Sequence, residues 1–191
     1  MTTNWTPELR RYRRKATLLR VTRRFESHHA RGYIIDVGAD DVLLSIVNDS
    51  IWLDGFECYR IDDITSLVPD PRKDFIEPAL TLRGETRPIS CPVNLDTMTA
   101  LLRSANAHFP LVTLHKEETD PGVCWIGRVL DADRHSVSLH QISPDAKWDA
   151  TPTEHRLSDI TRVDFGADYE AALAAVGGAP PIRKQRDRRM G

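Results

Sequence analysis

Two stretches of the chain carry one tripeptide in one apolar frame. Residues 61–68 read IDDITSLV and residues 157–163 read LSDITRV, with Asp-Ile-Thr repeated ninety-six positions apart. Around each tripeptide the large apolar residues fall three apart: Ile61, Ile64 and Leu67, then Leu157, Ile160 and Val163. A flat strand buries residues two apart, so a spacing of three excludes a flat strand here. A tight 3₁₀ turn or bulge between two strands restores the inward direction, and that is the expectation at both places. Asp63 and Asp159 are suited to close the turns by accepting backbone N–H groups, as in an Asx-turn. Ile64 and Ile160 then plug a core, and Thr65 and Thr161 begin the next strand.

The correspondence extends outward. Gly32 and Gly127, Ile34 and Val129, Val42 and Val137, and Leu44 and Leu139 stand ninety-five residues apart. Arg60 and Arg156 stand ninety-six apart, and Asp74-Phe75 finds a partner in Asp168-Tyr169. Ordered matches at a fixed offset indicate an internal duplication. Both pieces are rich in short β-forming runs ("GYIIDV", "DVLLSIV", "VCWIGRVLDA", "SVSLHQI") punctuated by turn signals such as Gly38-Ala39-Asp40 and Asn48-Asp49.

Four other segments frame these pieces. Residues 5–16 read as a helix capped by Thr6, with Pro7 at its first turn and an apolar stripe of Trp5, Leu9, Tyr12 and Ala16. "ALTLRGETRPISCPV" reads as a hairpin with Gly84-Glu85 at its tip. A helix follows, capped by Asn94, with Met98, Leu101, Leu102 and Ala105 on one face. A short helix from Asp168 to Val176 ends at Gly177-Gly178. The resulting plan is a basic N-terminal helix (1–16), a first small barrel (17–72), a linking hairpin and helix (73–109), a second barrel with a short helix (110–177) and a disordered basic tail (178–191).

Five short, bent strands with a 3₁₀ turn before the last resemble an SH3-type or Sm-like barrel. The fold class expected is therefore mostly β with minor α: two SH3/Sm-like small barrels from an internal duplication. Gly127, Asp133, Val137 and Leu139 are similar to the Sm-like pattern, and Gly32, Val42 and Leu44 follow it more loosely. "LLSIVNDSIWLDGFECYRIDDIT" also resembles a bacterial family with a Leu-Asp-Gly-aromatic and an Asp-Ile-Thr signature, which implies a fold and no activity. Where Sm-like RNA binders carry an Arg-Gly pair at the last turn, this chain carries Asp62-Asp63 and Ser158-Asp159. Carboxylates there repel a phosphodiester, so that mode of RNA binding does not carry over.

Charge gives the second constraint. Residues 1–24 carry +7 and residues 183–191 carry +4, while residues 25–182 carry −13. Any contact with phosphate must come from the ends. The candidates are Arg10, Arg11, Arg13, Arg14 and Lys15, with Arg183, Lys184, Arg186, Arg188 and Arg189. The competing reading packs the helix by its apolar stripe on the acidic body. Trp52, Phe56 and Tyr59 form a candidate groove or edge for a protein partner.

Little points to catalysis. The chain has no phosphate loop, nucleophile elbow or dinucleotide fingerprint. His28-His29, His135, His140 and His155 read as surface histidines, and Asp36, Asp40, Asp41, Asp131 and Asp133 as solvated turns. No metal or cofactor is expected. Three widely spaced cysteines, Cys58, Cys91 and Cys124, read as buried thiols of a cytoplasmic protein, and no apolar run is long enough to span a membrane. The function expected is a non-catalytic adaptor for an unidentified protein partner. The alternative is an RNA- or DNA-associated regulator that holds phosphates through its basic ends.

Overall fold

Both segments with apolar residues three apart are 3₁₀ turns, Ile61–Asp63 and Leu157–Asp159. The computed structural model describes residues 4–25 and 28–181. Each turn closes through its own backbone, with the Ile64 N–H donating to the Ile61 carbonyl and the Ile160 N–H to that of Leu157. Ile64 and Ile160 are buried as expected.

The two aspartates do something other than expected. Asp63 accepts from Arg24 Nε at 2.8 Å, and Asp159 accepts from the Ser158 hydroxyl at 2.9 Å. The 3₁₀ turn supplies its own acceptor, which leaves each carboxylate to whatever donor packs nearby. The threonines tie the turns down. The Thr65 hydroxyl donates to the Thr22 carbonyl at 3.2 Å and that of Thr161 to the His115 carbonyl at 3.1 Å.

Among the described residues ten antiparallel strands form one open sheet. They are β1 (Leu19–Arg23), β2 (Ala30–Val37), β3 (Asp41–Val47), β4 (Leu53–Arg60), β5 (Ile64–Pro69), β6 (Val112–His115), β7 (Cys124–Ala132), β8 (Ser136–Gln141), β9 (Thr153–Arg156) and β10 (Arg162–Phe165). Their order is β5-β1-β2-β3-β4-β10-β6-β7-β8-β9. The protein is thus mostly β, and the expectation of two closed barrels is corrected to one continuous sheet. The outer edge of β4 is taken by β10, with Tyr59 opposite Arg162 and Phe56 opposite Phe165.

Close backbone approach explains two glycines. A Cβ on Gly32 would lie 2.3 Å from the Ser45 carbonyl oxygen, and one on Gly127 2.2 Å from that of His140. Only glycine allows the bulged hairpins β2–β3 and β7–β8 to approach so closely. The bulges fall at Ile34/Asp36 and Val129/Asp131. At each, an aspartate accepts from the next backbone N–H at 2.9 Å, Asp36 from Val37 and Asp131 from Ala132.

Among the described residues four helices cover the sheet: α1 (Thr6–Lys15), α2 (Lys73–Leu82), α3 (Met98–His108) and α4 (Asp168–Gly177). The region read as a hairpin, residues 79–93, holds no strand: its first four residues end α2 and the rest is turn and loop. Ile76 and Leu80, four apart, bury one face against Leu18, Tyr33 and Val47. Gly84, read as a hairpin tip, is instead the left-handed end of this helix, with φ 77° and its N–H on the Thr81 carbonyl. Pro78 is tolerated inside a ten-residue helix. The cap of α3 is Thr97, whose hydroxyl accepts from Ala100 N–H at 3.1 Å, while Asn94 shapes the preceding turn. The largest core joins the two halves. It runs from Ile35, Leu43 and Cys58 through Val163 and Phe165 to Val137 and Leu139, beneath Leu101 and Leu102 of α3.

Candidate nucleic-acid interface

Helix α1 lies on β2 by its apolar stripe. Leu9 is fully buried, Trp5 and Tyr12 pack on the same cluster, and the Trp5 indole N–H donates to the Ile64 carbonyl at 2.8 Å. That contact fixes the rotation of the helix. Arg10, Arg11, Arg13, Arg14 and Lys15 are consequently exposed. Among the described residues only Arg13 of these five meets a carboxylate, Asp36, at 2.9 Å between two exposed groups. Exposed pairs hold weakly, so the basic face of α1 is not neutralised by the body.

The other N-terminal cations behave differently. Arg20 and Arg31 bracket the buried Asp70 at 3.0 and 2.8 Å. Burial alone would raise the Asp70 carboxyl, but the Arg31 hydrogen bond, the Arg72 N–H and Arg20 bring it down to about 2. Arg23 is buried against Glu117 at 2.6 Å and lies over the Tyr59 ring at 4.4 Å. Arg24 pairs with Asp63 and Glu118. The basic segment therefore divides at Ala16. Cations before it face solvent, and Arg20, Arg23 and Arg24 after it are joined to internal carboxylates.

Arg10, Arg13 and Arg14 line a cleft of about 440 Å³ with Ile34, Ile35, Ile89 and a fourth arginine, Arg87. Arg87 comes from the loop after α2 and lies over the Tyr33 ring at 5.6 Å. Among the described residues no carboxylate lines this cleft. The sequence carried no signal for Arg87, because its loop reads as a strand and its approach to α1 is purely tertiary. Arg183, Lys184, Arg186, Arg188 and Arg189 lie outside the described residues.

Trp52, Phe56 and Tyr59 are not brought together as a surface. Tyr59 is fully buried, and Phe56 packs with Phe109 and Phe165 at ring distances of 6.0 and 5.7 Å. Trp52 alone is exposed, with Arg83 4.5 Å over its ring. The segment is also no free edge, since β4 lies between β3 and β10.

Other readings shift as well. His140 and His155 are buried rather than superficial: His140 Nε2 sits 2.8 Å from the Asp149 carbonyl and His155 packs on Trp125. Cys58 is buried, Cys91 half-buried and Cys124 exposed. Asp41 is buried rather than solvated. No described helix is long and apolar enough to cross a membrane. No protein-family model, curated protein or solved structure matches the chain, so its function must be read from these residues alone.

Proposed function

We propose that the protein is a non-catalytic binding protein whose partner is a nucleic acid, held by its phosphates along α1. The observation that carries this is the convergence of Arg10, Arg13, Arg14 and Arg87 on one cleft without a carboxylate. Guanidinium groups match phosphate geometry in pairs and stay charged at any working pH. The cleft offers no aromatic face for stacking bases, so the grip is on the backbone and indifferent to sequence. The acidic body limits the contact to this face. The adaptor reading for a protein partner has less support, because two of its three aromatic residues lie inward.

The scaffold for this face is read as a duplicated five-stranded unit of SH3/Sm-like type. Within each half the fifth strand returns to the first, β5 to β1 and β10 to β6. The paired glycines, bulges, 3₁₀ turns and threonine bonds support that reading.

The test is binding of a fluorescent single-stranded and a double-stranded oligonucleotide to the full chain across a salt series. Binding weakens steeply with salt, and Arg10→Ala/Arg14→Ala/Arg87→Ala lowers the log–log slope by about 3. A variant that binds with unchanged affinity and slope, or a wild-type chain that does not bind at low salt, removes the proposal.

A further inference from the structure

A second cleft, of about 650 Å³, opens where the β2–β3 turn, the first 3₁₀ turn and the N-termini of α1 and α3 meet. Four carboxylates line it, Asp40, Asp41, Asp62 and Asp96, against one guanidinium, that of Arg60. Arg60 is engaged elsewhere, on the Ser158 carbonyl. The helix N-termini nearby are already capped, by Asn4 on Thr6 N–H and by Thr97 on Ala100 N–H. A cluster of exposed aspartates alone would mean little.

Asp41 is what makes the cleft unusual. The residue is only 7% exposed, yet its carboxyl has no hydrogen-bond or ion-pair partner among the described residues. Burial, and next Asp40, push the Asp41 carboxyl up to about 6; Arg60 works against the rise and Asp63 adds to it. At neutral pH the group is therefore an anion, and an unpaired buried anion is costly without a counter-charge.

The fold does not demand these carboxylates. In the second half the β8 turn and the 3₁₀ turn make the same contact: Leu157 N–H donates to the His135 carbonyl as Ile61 N–H does to that of Asp40, both at 2.8 Å. There the lining among the described residues is Arg134, His135, Ser136, Arg156, Leu157 and Ser158. The turn is held there by Asp133, whose carboxylate accepts from the His135 and Ser136 N–H groups at 2.7 Å, while His135, Ser136 and Ser158 stand where the first half has Asp40, Asp41 and Asp62, so the shared contact does not require those three carboxylates.

We propose that this cleft binds a small organic cation bearing ammonium or guanidinium groups, with Asp41 as its buried anchor and Asp40, Asp62 and Asp96 around the mouth. Its volume falls in the range of small-molecule sites. A bare metal ion fits less well, since no three acidic, histidine or cysteine side chains among the described residues converge as metal ligands. Spread carboxylates suit an extended ligand with more than one charged end, each making charge-assisted hydrogen bonds.

The experiment is calorimetric titration of the full chain with agmatine, which carries a guanidinium and an ammonium on one short chain. Saturable one-to-one binding is expected, weakened about tenfold or more by Asp41→Asn and less by Asp62→Asn. Asp62 is exposed, so its replacement leaves the fold intact and keeps the test valid should Asp41→Asn perturb packing. Absence of saturable binding overturns the proposal. So does binding left unchanged by both substitutions, which would mark it as general attraction to an acidic body.

Discussion

Strands β5 and β10 follow the same 3₁₀ turn and the same Asp-Ile-Thr, yet they live in different places. β10 lies mid-sheet between β4 and β6, and Val163, Asp164 and Phe165 are buried. β5 has a neighbour on one side only, and Thr65, Val68 and Pro69 are exposed. The sequences record the difference. Proline ends the edge strand, where a missing N–H costs nothing, and the central strand has none. Arg162 and Asp164 in β10 bind each other and reach Glu57 of β4 and His115 of β6, so the seam between the halves carries charges that the edge lacks. A common backbone plan has thus been fitted to two surroundings by its polar residues.

Substitutions can break this comparison. The largest effect is expected at Phe165, which packs against Phe109 at 4.9 Å and Phe56 at 5.7 Å. Phe165→Ala should cost about 3–5 kcal/mol in a denaturant titration, whereas Val68→Ala on the edge should stay within about 0.5 kcal/mol. Equal losses would mean that β10 is no more central than β5.

Next comes the buried pair that joins β1 to the loop after β6. Burial of Glu117 opposes ionisation, but the Arg23 hydrogen bond, Thr161 and the charges of Arg23 and His115 hold its carboxyl below the usual range. Its contribution is therefore complete above the ordinary glutamate pKa and is lost as pH falls through the depressed value. Glu117→Gln should cost about 3 kcal/mol at neutral pH, with the gap to wild type closing in acid. A gap independent of pH would show that charge is not what holds the pair.

The two threonines give a finer contrast. Thr161 is buried; its hydroxyl accepts from the Glu117 N–H at 3.0 Å and bonds the Glu117 carboxylate. Thr161→Val strands those groups and should cost about 1–3 kcal/mol. Thr65 is exposed, and Thr65→Val should cost no more than about 0.5 kcal/mol. Similar losses would assign the motif a role in the turn itself rather than in what surrounds it.

The smallest effect concerns Asp41, with Asp40, Asp63 and Arg60 facing it. A folded pKa raised to about 6 means that wild-type stability declines as pH rises from about 4 to 6. Asp41→Asn should flatten that decline and stabilise the neutral-pH protein by about 1–2 kcal/mol. A decline that persists in the variant would place its source elsewhere.

Some of the candidate sites were legible in the residues and others were not. The basic face of α1 was visible because Trp5, Leu9 and Tyr12 set which side turns inward, leaving the arginines only one direction to face. Arg87 was not, since nothing local says that the loop after α2 passes beside α1. Tyr59 was misread because an aromatic residue looks the same in a core as on a rim until its neighbours are known. Asp41 was misread because a turn aspartate is usually solvated, and its burial depends on distant residues that no local pattern records.

The spacing of Ile61, Ile64 and Leu67, and of its counterpart, determined by itself that a tight 3₁₀ turn or a bulge precedes a strand, because backbone geometry dictates which way each side chain points; the structure chose the 3₁₀ turn. The charge distribution likewise determined that the basic residues of the N-terminal segment stand apart from an acidic body. The tertiary structure decided the rest: that β4 pairs with β10 and leaves the sheet open, that residues 73–82 wind into a helix, and that four arginines share a cleft. Those outcomes depend on which distant surfaces meet, and local periodicity holds no record of a partner eighty or a hundred residues away.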